Sequence, residues 1–277
     1  MVRIDSHQHF WIFDPVRDSW ITEDMSVIRK DFLPSDLEPV LKENSFAGCV
    51  AVQADQSEEQ NRFLLEKADS HPFIFGVVGW VDLQAEDIKE RLEYYTSFEK
   101  LKGFRHILQG EPKRDLMLTH DFRRGVALLE KFGFTYDILI YPDQLEYTKQ
   151  LVEEFPQQKF VIDHLAKPYI KDKKIEPWKQ QISAIAANEN VYCKLSGFVT
   201  EADWRNWTKE DFDPYFDVIV NSFGVDRIMF GSDWPVCQVA AQYGEVVEKV
   251  ADYFSGYSEE EQEQIFGINA INFYNLF

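Results

Sequence analysis

Ile4-Asp5-Ser6-His7-Gln8-His9-Phe10-Trp11 places two histidines one residue apart after an apolar entry. Alternate residues of a strand share a face, so His7 and His9 can converge on one point, as two metal ligands or two donors to one substrate must. The same form, a short apolar run ending in a polar group, recurs along the chain. Strands are expected at residues 2–9, 48–54, 73–81, 103–108, 134–141, 159–164, 191–196 and 227–232. Most are nearly continuously apolar, as in a parallel sheet covered on both faces. Helical patterns lie between them, at residues 63–68, 122–132 and 145–155. Ser258-Glu259-Glu260-Glu261 reads as a capping box opening the last helix. About eight β-then-α units in this length predict an α/β fold, a (β/α)8 TIM barrel, as one domain over residues 1–277. No glycine-rich loop follows the first strand, which weighs against a nucleotide-binding doubly wound sheet.

Catalytic groups of such a barrel sit at the C-terminal ends of the strands. His7 and His9 end the first run, His164 ends Phe160-Val161-Ile162-Asp163-His164, and Asp233 follows Arg227-Ile228-Met229-Phe230-Gly231-Ser232. Arg105 and His106 end the fourth run, and since adjacent strand residues face opposite ways, one of the two faces the pocket. Gln53 and Trp80, ending the second and third runs, suit sugar hydroxyls. Lys194 stands in the apolar seventh run, where a lone ammonium is costly without a partner, and is expected to reach the pocket. Three long loops, residues 10–32, 166–178 and 198–212, carry Trp11, Trp20, Tyr169, Trp178, Trp204 and Trp207 and can wall a small pocket. His71 and His120 read as solvent-exposed bystanders.

Composition excludes several classes. A net charge of −19 argues against nucleic acid as a partner. No stretch approaches the ~20 apolar residues of a membrane helix, and the chain enters a strand pattern without a secretory-type leader. Cys49, Cys193 and Cys237 are odd in number and widely spaced, as buried free thiols of a reducing compartment are. The expectation is a cytoplasmic protein.

The chain resembles the amidohydrolase superfamily, in the amidohydrolase-2 branch that contains sugar-acid lactonases. The resemblance runs in order through Asp5-Ser6-His7-Gln8-His9-Phe10-Trp11, Val52-Gln53-Ala54, Gly76-Val77-Val78-Gly79-Trp80-Val81-Asp82-Leu83 and Gly103-Phe104-Arg105-His106-Ile107-Leu108. It continues through Asp163-His164-Leu165-Ala166-Lys167-Pro168, Cys193-Lys194-Leu195-Ser196-Gly197, Phe230-Gly231-Ser232-Asp233-Trp234-Pro235 and Gly267-Ile268-Asn269-Ala270. It implies a TIM barrel that hydrolyses a lactone such as L-fuconolactone or L-rhamnonolactone, a small-molecule substrate of carbohydrate catabolism. It carries the first-strand histidine pair onto His7 and His9, the sixth-strand histidine onto His164 and the eighth-strand aspartate onto Asp233. It makes Arg105-His106 a carbonyl or carboxylate contact. Binuclear relatives end the fourth strand with a lysine and the fifth with a histidine. Here those places hold Arg105-His106 and Tyr136-Asp137-Ile138-Leu139-Ile140-Tyr141, so the choice is one divalent ion, zinc or similar, or none.

In this reading Asp233 is the base that activates water and returns the proton to the ring oxygen. His7, His9 and His164 either hold the metal together with Asp233 or stabilise the oxyanion directly. Trp11 and Trp80 wall the substrate. The alternatives are a metal-dependent decarboxylase of an aromatic acid and a hydrolase of a non-sugar (dicarboxylate) lactone.

Overall fold

A computed structural model describes residues 2–277. Eight parallel strands are hydrogen-bonded in sequence order: β1 (Ile4–Gln8), β2 (Gly48–Val52), β3 (Ile74–Gly79), β4 (Leu101–His106), β5 (Thr135–Ile138), β6 (Phe160–Ile162), β7 (Val191–Leu195) and β8 (Ile228–Phe230). The ring closes just beyond β8. Trp234 bridges Gln8 in parallel, with His9 N donating to Trp234 O at 2.7 Å and Asp233 N to His7 O at 2.8 Å. Helices α1 (Pro34–Glu43), α2 (Glu58–Ser70), α3 (Ile88–Tyr95), α4 (His120–Phe132), α5 (Leu145–Glu154), α6 (Trp178–Ala186), α7 (Asp213–Phe223) and α8 (Tyr243–Tyr253) alternate with the strands. The architecture is the (β/α)8 barrel expected from the repeating units. No helix among the described residues is long and apolar enough to cross a membrane, and all three cysteines are buried and free.

The seam between β1 and β8 rests on one carboxylate. Asp5 accepts from Ser232 N at 2.9 Å, Ser232 Oγ at 2.6 Å, Tyr243 OH at 3.2 Å and His7 N at 3.1 Å. Burial, opposed by these donors, raises its pKa to about 6. The β1–β2 register shifts between Asp5 and Gln8. Ile4 therefore packs with the interior residues Val50, Val52 and Val161, while His7, an odd number of residues later, also faces the interior contacts described below. A bulge re-aims a side chain in this way.

The floor of the barrel is made by the C-terminal segment, α9 (Glu259–Glu263), a π-helical turn (Gln264–Ile268) and α10 (Asn269–Tyr274). Ser258 caps α9 as expected, its Oγ accepting from Glu261 N at 3.2 Å. Ala270, Phe273 and Tyr274 pack against the inward apolar residues of β1, β2, β3, β6 and β8.

Several strands end earlier than their apolar runs, because the last residues leave extended geometry to face the mouth. Beyond β6, His164, Leu165, Ala166 and Lys167 have φ of 55°, 55°, 56° and 51°. Four successive non-glycine residues in the left-handed region cost on the order of 1 kcal/mol each. The turn is held by the Trp178 indole, which donates to Leu165 O at 2.8 Å. It delivers both His164 and Lys167 to the same opening.

Candidate active site

The cleft at the C-terminal end of the strands has a volume of about 250 Å³. Its polar end is made by His9, Arg105, His164, Lys167 and Asp233, and Trp20 stands at its wall. Asp233 sits at its centre with φ of 57°, between the end of β8 and the cis peptide Trp234-Pro235. Its Oδ1 is 3.3 Å from His9 Nε2, 3.8 Å from His7 Nε2 and 3.9 Å from His164 Nε2. Burial pushes its pKa up, but the three histidines outweigh this and hold it well below the usual carboxylate range. It is therefore ionised at neutral pH.

The imidazoles are oriented from behind. His9 Nδ1 is 2.8 Å from Val52 O, and a carbonyl only accepts, so Nδ1 carries a proton and Nε2 is the nitrogen turned to Asp233. His164 Nδ1 meets Ser196 Oγ at 2.8 Å. Gly197 has φ of 58°, and a Cβ there would lie 2.5 Å from His164 Nδ1. Only glycine permits both the conformation and the approach. Burial holds His164 down to about pKa 4, against the opposing pull of Asp233 and Asp163. Burial likewise keeps His7 well below the usual imidazole range, with Asp163 opposing. Both rings are neutral at pH 7.

Arg105 is the member of its pair that faces inward. Its guanidinium donates to Asp163 Oδ2 at 3.0 Å and to Gln53 Oε1 at 2.8 Å, and its Nη1 is 3.3 Å from His7 Nε2. His106 turns out of the barrel. Its Nδ1 accepts from Trp80 Nε1 at 3.3 Å, its Nε2 meets Glu111 Oε1 at 2.8 Å, and its ring packs on Phe122 of α4. His106 and Trp80 thus satisfy each other outside the cleft. Gln53 and Lys194 have no exposed surface. Gln53 clamps Arg105, and Lys194 sits under His7, so both act on the site's own side chains and not on a ligand. Trp11 is also buried, its indole donating to Lys30 O at 2.8 Å and its ring edge-on to Trp20. Trp20 is the indole that reaches the opening. His71 bonds Lys67 O beside α2, and His120 is exposed at the start of α4, both away from the site.

These donors fit one divalent ion. His9 Nε2 faces an ionised carboxylate oxygen at 3.3 Å, and the two Nε2 atoms of His7 and His9 are 3.2 Å apart. Such an arrangement is repulsive unless a proton or a cation lies among the acceptors. A tetrahedral zinc ion holds its nitrogen ligands roughly 3.3 Å apart, and four of the donor separations, His7 to His9 and Asp233 to each of the three imidazoles, run from 3.2 to 3.9 Å. His7, His164 and Asp233 also meet the distance condition for a shared ion.

The chain belongs to the amidohydrolase family, matched over residues 4–276. An L-fucono-1,5-lactonase from Burkholderia multivorans is 38% identical over 288 residues, covering 99% of this chain and 96% of the relative. A second L-fucono-1,5-lactonase, from Burkholderia ambifaria, is 34% identical with the same coverage. A crystal structure of an amidohydrolase from Burkholderia multivorans, solved with bound zinc, superposes with a TM-score of 0.97 at 37% identity and covers 100% of both chains.

Beneath this amidohydrolase cleft lies a charge network that the strand motifs did not announce as a unit. Lys194 Nζ is 2.5 Å from Asp137 Oδ2 and 3.0 Å from Asp163 Oδ1. Tyr274 OH donates to Asp137 Oδ2 at 2.8 Å. Burial raises Asp137 to about pKa 6 against the lowering effect of Lys194. Burial also raises Asp163, but Lys194, His7 and Arg105 outweigh it and leave the group well below its ordinary value. The signal was legible: Lys194 and Asp137 are charges of opposite sign, each standing in an apolar strand, and each needs a partner. Lys167 is a further missed residue. It lines the cleft and pairs with Glu201 Oε1 at 3.1 Å.

Proposed function

We propose that this amidohydrolase opens a sugar-acid lactone, L-fucono-1,5-lactone or a related aldonolactone, to the aldonate. The observation that carries the reading is the polar end of the cleft, where an ionised Asp233, neutral His164 and the Arg105 guanidinium converge. The two L-fucono-1,5-lactonases aligned over the full chain support the substrate class.

Arg105 orients the lactone carbonyl and opposes the charge that develops on its oxygen. Asp233 accepts a proton from water as the water oxygen bonds to the carbonyl carbon. The bond from that carbon to the ring oxygen then breaks, and Asp233 returns the proton to the leaving alkoxide. His164, fixed by Ser196, keeps its neutral ring beside the reacting centre. Lys167 and Trp20 meet the sugar ring at the mouth. A divalent ion held by His7, His9, His164 and Asp233 would polarise the carbonyl and lower the pKa of water. The net charge of −19 and the three buried thiols support a cytoplasmic enzyme of carbohydrate catabolism without a nucleic-acid partner.

The test is proton release from a panel of aldonolactones near pH 7, before and after chelation. Opening of one lactone well above its spontaneous rate is expected. No acceleration on any sugar lactone refutes the reading. Carbon dioxide evolved from a hydroxybenzoate would favour a decarboxylase instead, and turnover of a dicarboxylate lactone a non-sugar substrate.

A further inference from the structure

A cleft that discriminates among sugar lactones must hold hydrogen-bond partners for ring hydroxyls, because a pocket built to bond a hydroxyl rejects the ligand that lacks it there. The charged groups of this cleft are already engaged. His9, His164 and Asp233 face one another at the polar end. Arg105 donates to Asp163 and Gln53, and Lys167 is paired with Glu201. Trp20, Ala54, Ile107, Leu139 and Val236 line the rest with largely apolar surface. One side-chain amide stands among them, that of Gln109.

The backbone of Gln109 is pinned. It lies in the single 3-10 turn Leu108–Gly110 that follows β4. Its N–H donates to Leu139 O at 3.0 Å, and its carbonyl accepts from Arg114 Nη1 at 2.9 Å. Arg114 is itself held by two bonds to Asp143, at 2.7 and 2.8 Å. The side chain is the reverse. Gln109 Oε1 is buried and meets no hydrogen-bond partner, and no bond among the described residues anchors the amide nitrogen. Other glutamines of the barrel are committed: Gln53 to Arg105, Gln60 to Phe10 O, Gln144 to Leu108 O and Gln158 to Phe134 O. An amide with neither end anchored can turn about its last torsion and present its oxygen or its N–H, so it can accept from a hydroxyl or donate to one. Leaving it unpaired in a half-buried position is costly, and a ligand hydroxyl removes that cost.

We infer that Gln109 is a specificity-determining residue whose amide bonds one ring hydroxyl of the lactone. The inference rests on the lactonase reading and deepens it. A rigid turn carries the amide to the cleft wall, so the hydroxyl is read at a fixed place relative to Asp233 and Arg105. Gln109 takes no part in the bond-making steps. It decides which hydroxylated lactones sit correctly for them.

The experiment compares wild type with Gln109→Met, which keeps the length of the side chain and removes both ends of the amide. Proton release gives kcat/KM on the best aldonolactone and on a series of its analogues, each lacking one ring hydroxyl. On the full lactone the variant is expected to lose about 10-fold in kcat/KM. Wild type is expected to lose a similar factor on one analogue, and on that analogue the two proteins should be equal, since removing both partners costs no more than removing either. The variant should melt as wild type does, because the amide bonds nothing in the chain. An active wild type with an unchanged Gln109→Met overturns the role of Gln109 and leaves the lactonase reading standing. So does a variant that loses the same factor on every analogue, which would mean that it acts through the fold. A wild type that opens no lactone refutes the lactonase reading, and the inference with it. Should Gln109→Met fail to fold, Gln109→Asn draws the amide back by one methylene and gives the same readout.

Discussion

Asp233→Asn isolates the proposed base with little disturbance of the fold. Asp233 has φ of 57°, and Asn is among the residues that tolerate this left-handed conformation best, whereas Ala would add strain. The backbone bond from residue 233 N to His7 O at 2.8 Å is unaffected. The side chain is 4% exposed and its Oδ1 faces three imidazoles, so a neutral isostere keeps the packing and removes one buried negative charge. Stability should change by less than ~1 kcal/mol. Catalysis should suffer far more, because an amide cannot take the proton from water. General-base contributions are on the order of 10²- to 10⁴-fold, or ~3–5 kcal/mol of barrier. The assay is proton release at saturating aldonolactone, with a thermal melt of the same sample. A kcat within ~3-fold of wild type, in a variant that melts normally, would refute the assignment of Asp233 as the base.

Four further outcomes are expected. His164 has its pKa lowered to about 4 by burial, so its stabilising contribution is whole above the unfolded value of about 6.5 and is lost as pH falls from there toward 4. Tm should therefore decline over that window, more steeply than in His164→Asn. Asp5→Asn replaces an acceptor of four donors by an amide with its own N–H groups, and chemical denaturation should show a loss of ~2–4 kcal/mol; a neutral result would mean that the seam does not depend on this carboxylate. Zinc added to chelated protein should raise Tm, by the equivalent of ~2.7 kcal/mol at 100 times Kd, and His9→Gln should cancel the rise. Lys167→Met removes a charge-assisted donor from the mouth, and kcat/KM on the lactone should fall ~10- to 100-fold; unchanged kinetics would confine the Lys167–Glu201 pair to holding its loops.

The strands were legible because burial on both faces leaves a near-continuous apolar run, and eight such runs separated by helical patterns leave few architectures. The polar groups at their ends were legible for the same reason: His7, His9, His164 and Asp233 interrupt or end runs that otherwise exclude charge. Direction was not legible at Arg105-His106, because adjacent strand positions face opposite sides and both residues are polar. The structure resolves it through partners that are distant in sequence, Asp163 and Gln53 for Arg105, Trp80 and Glu111 for His106. The sequence points to Trp11 as a wall of the pocket, whereas Trp20 lines the cleft, because both lie in a loop whose path depends on the antiparallel bridge between Trp11 and Phe32. Lys167 was hidden by its turn. Nothing in Leu165-Ala166-Lys167 signals four left-handed residues in succession, and without that turn the lysine has no reason to share an opening with His164.

The buried charges bear on how the proposed site would take up either a proton or a metal ion. Arg105 and Lys194 bring two positive charges into the barrel, and Asp137, Asp163 and Asp233 bring three negative ones. Asp163 is answered by Arg105 and Lys194 together, and Asp137 by Lys194 and the Tyr274 hydroxyl. Asp233 faces the His7, His9 and His164 imidazoles instead, with His9 Nε2 nearest at 3.3 Å, and the Lys167 ammonium lines the same cleft. A carboxylate in a low-dielectric pocket is stabilised by positive charge brought to it. A divalent ion supplies it in one way, and the proton taken from an attacking water supplies it in another. This placement suits Asp233 to both proposed roles, metal ligand and base, because Arg105 and Lys194 pair with the carboxylates beneath it and not with Asp233.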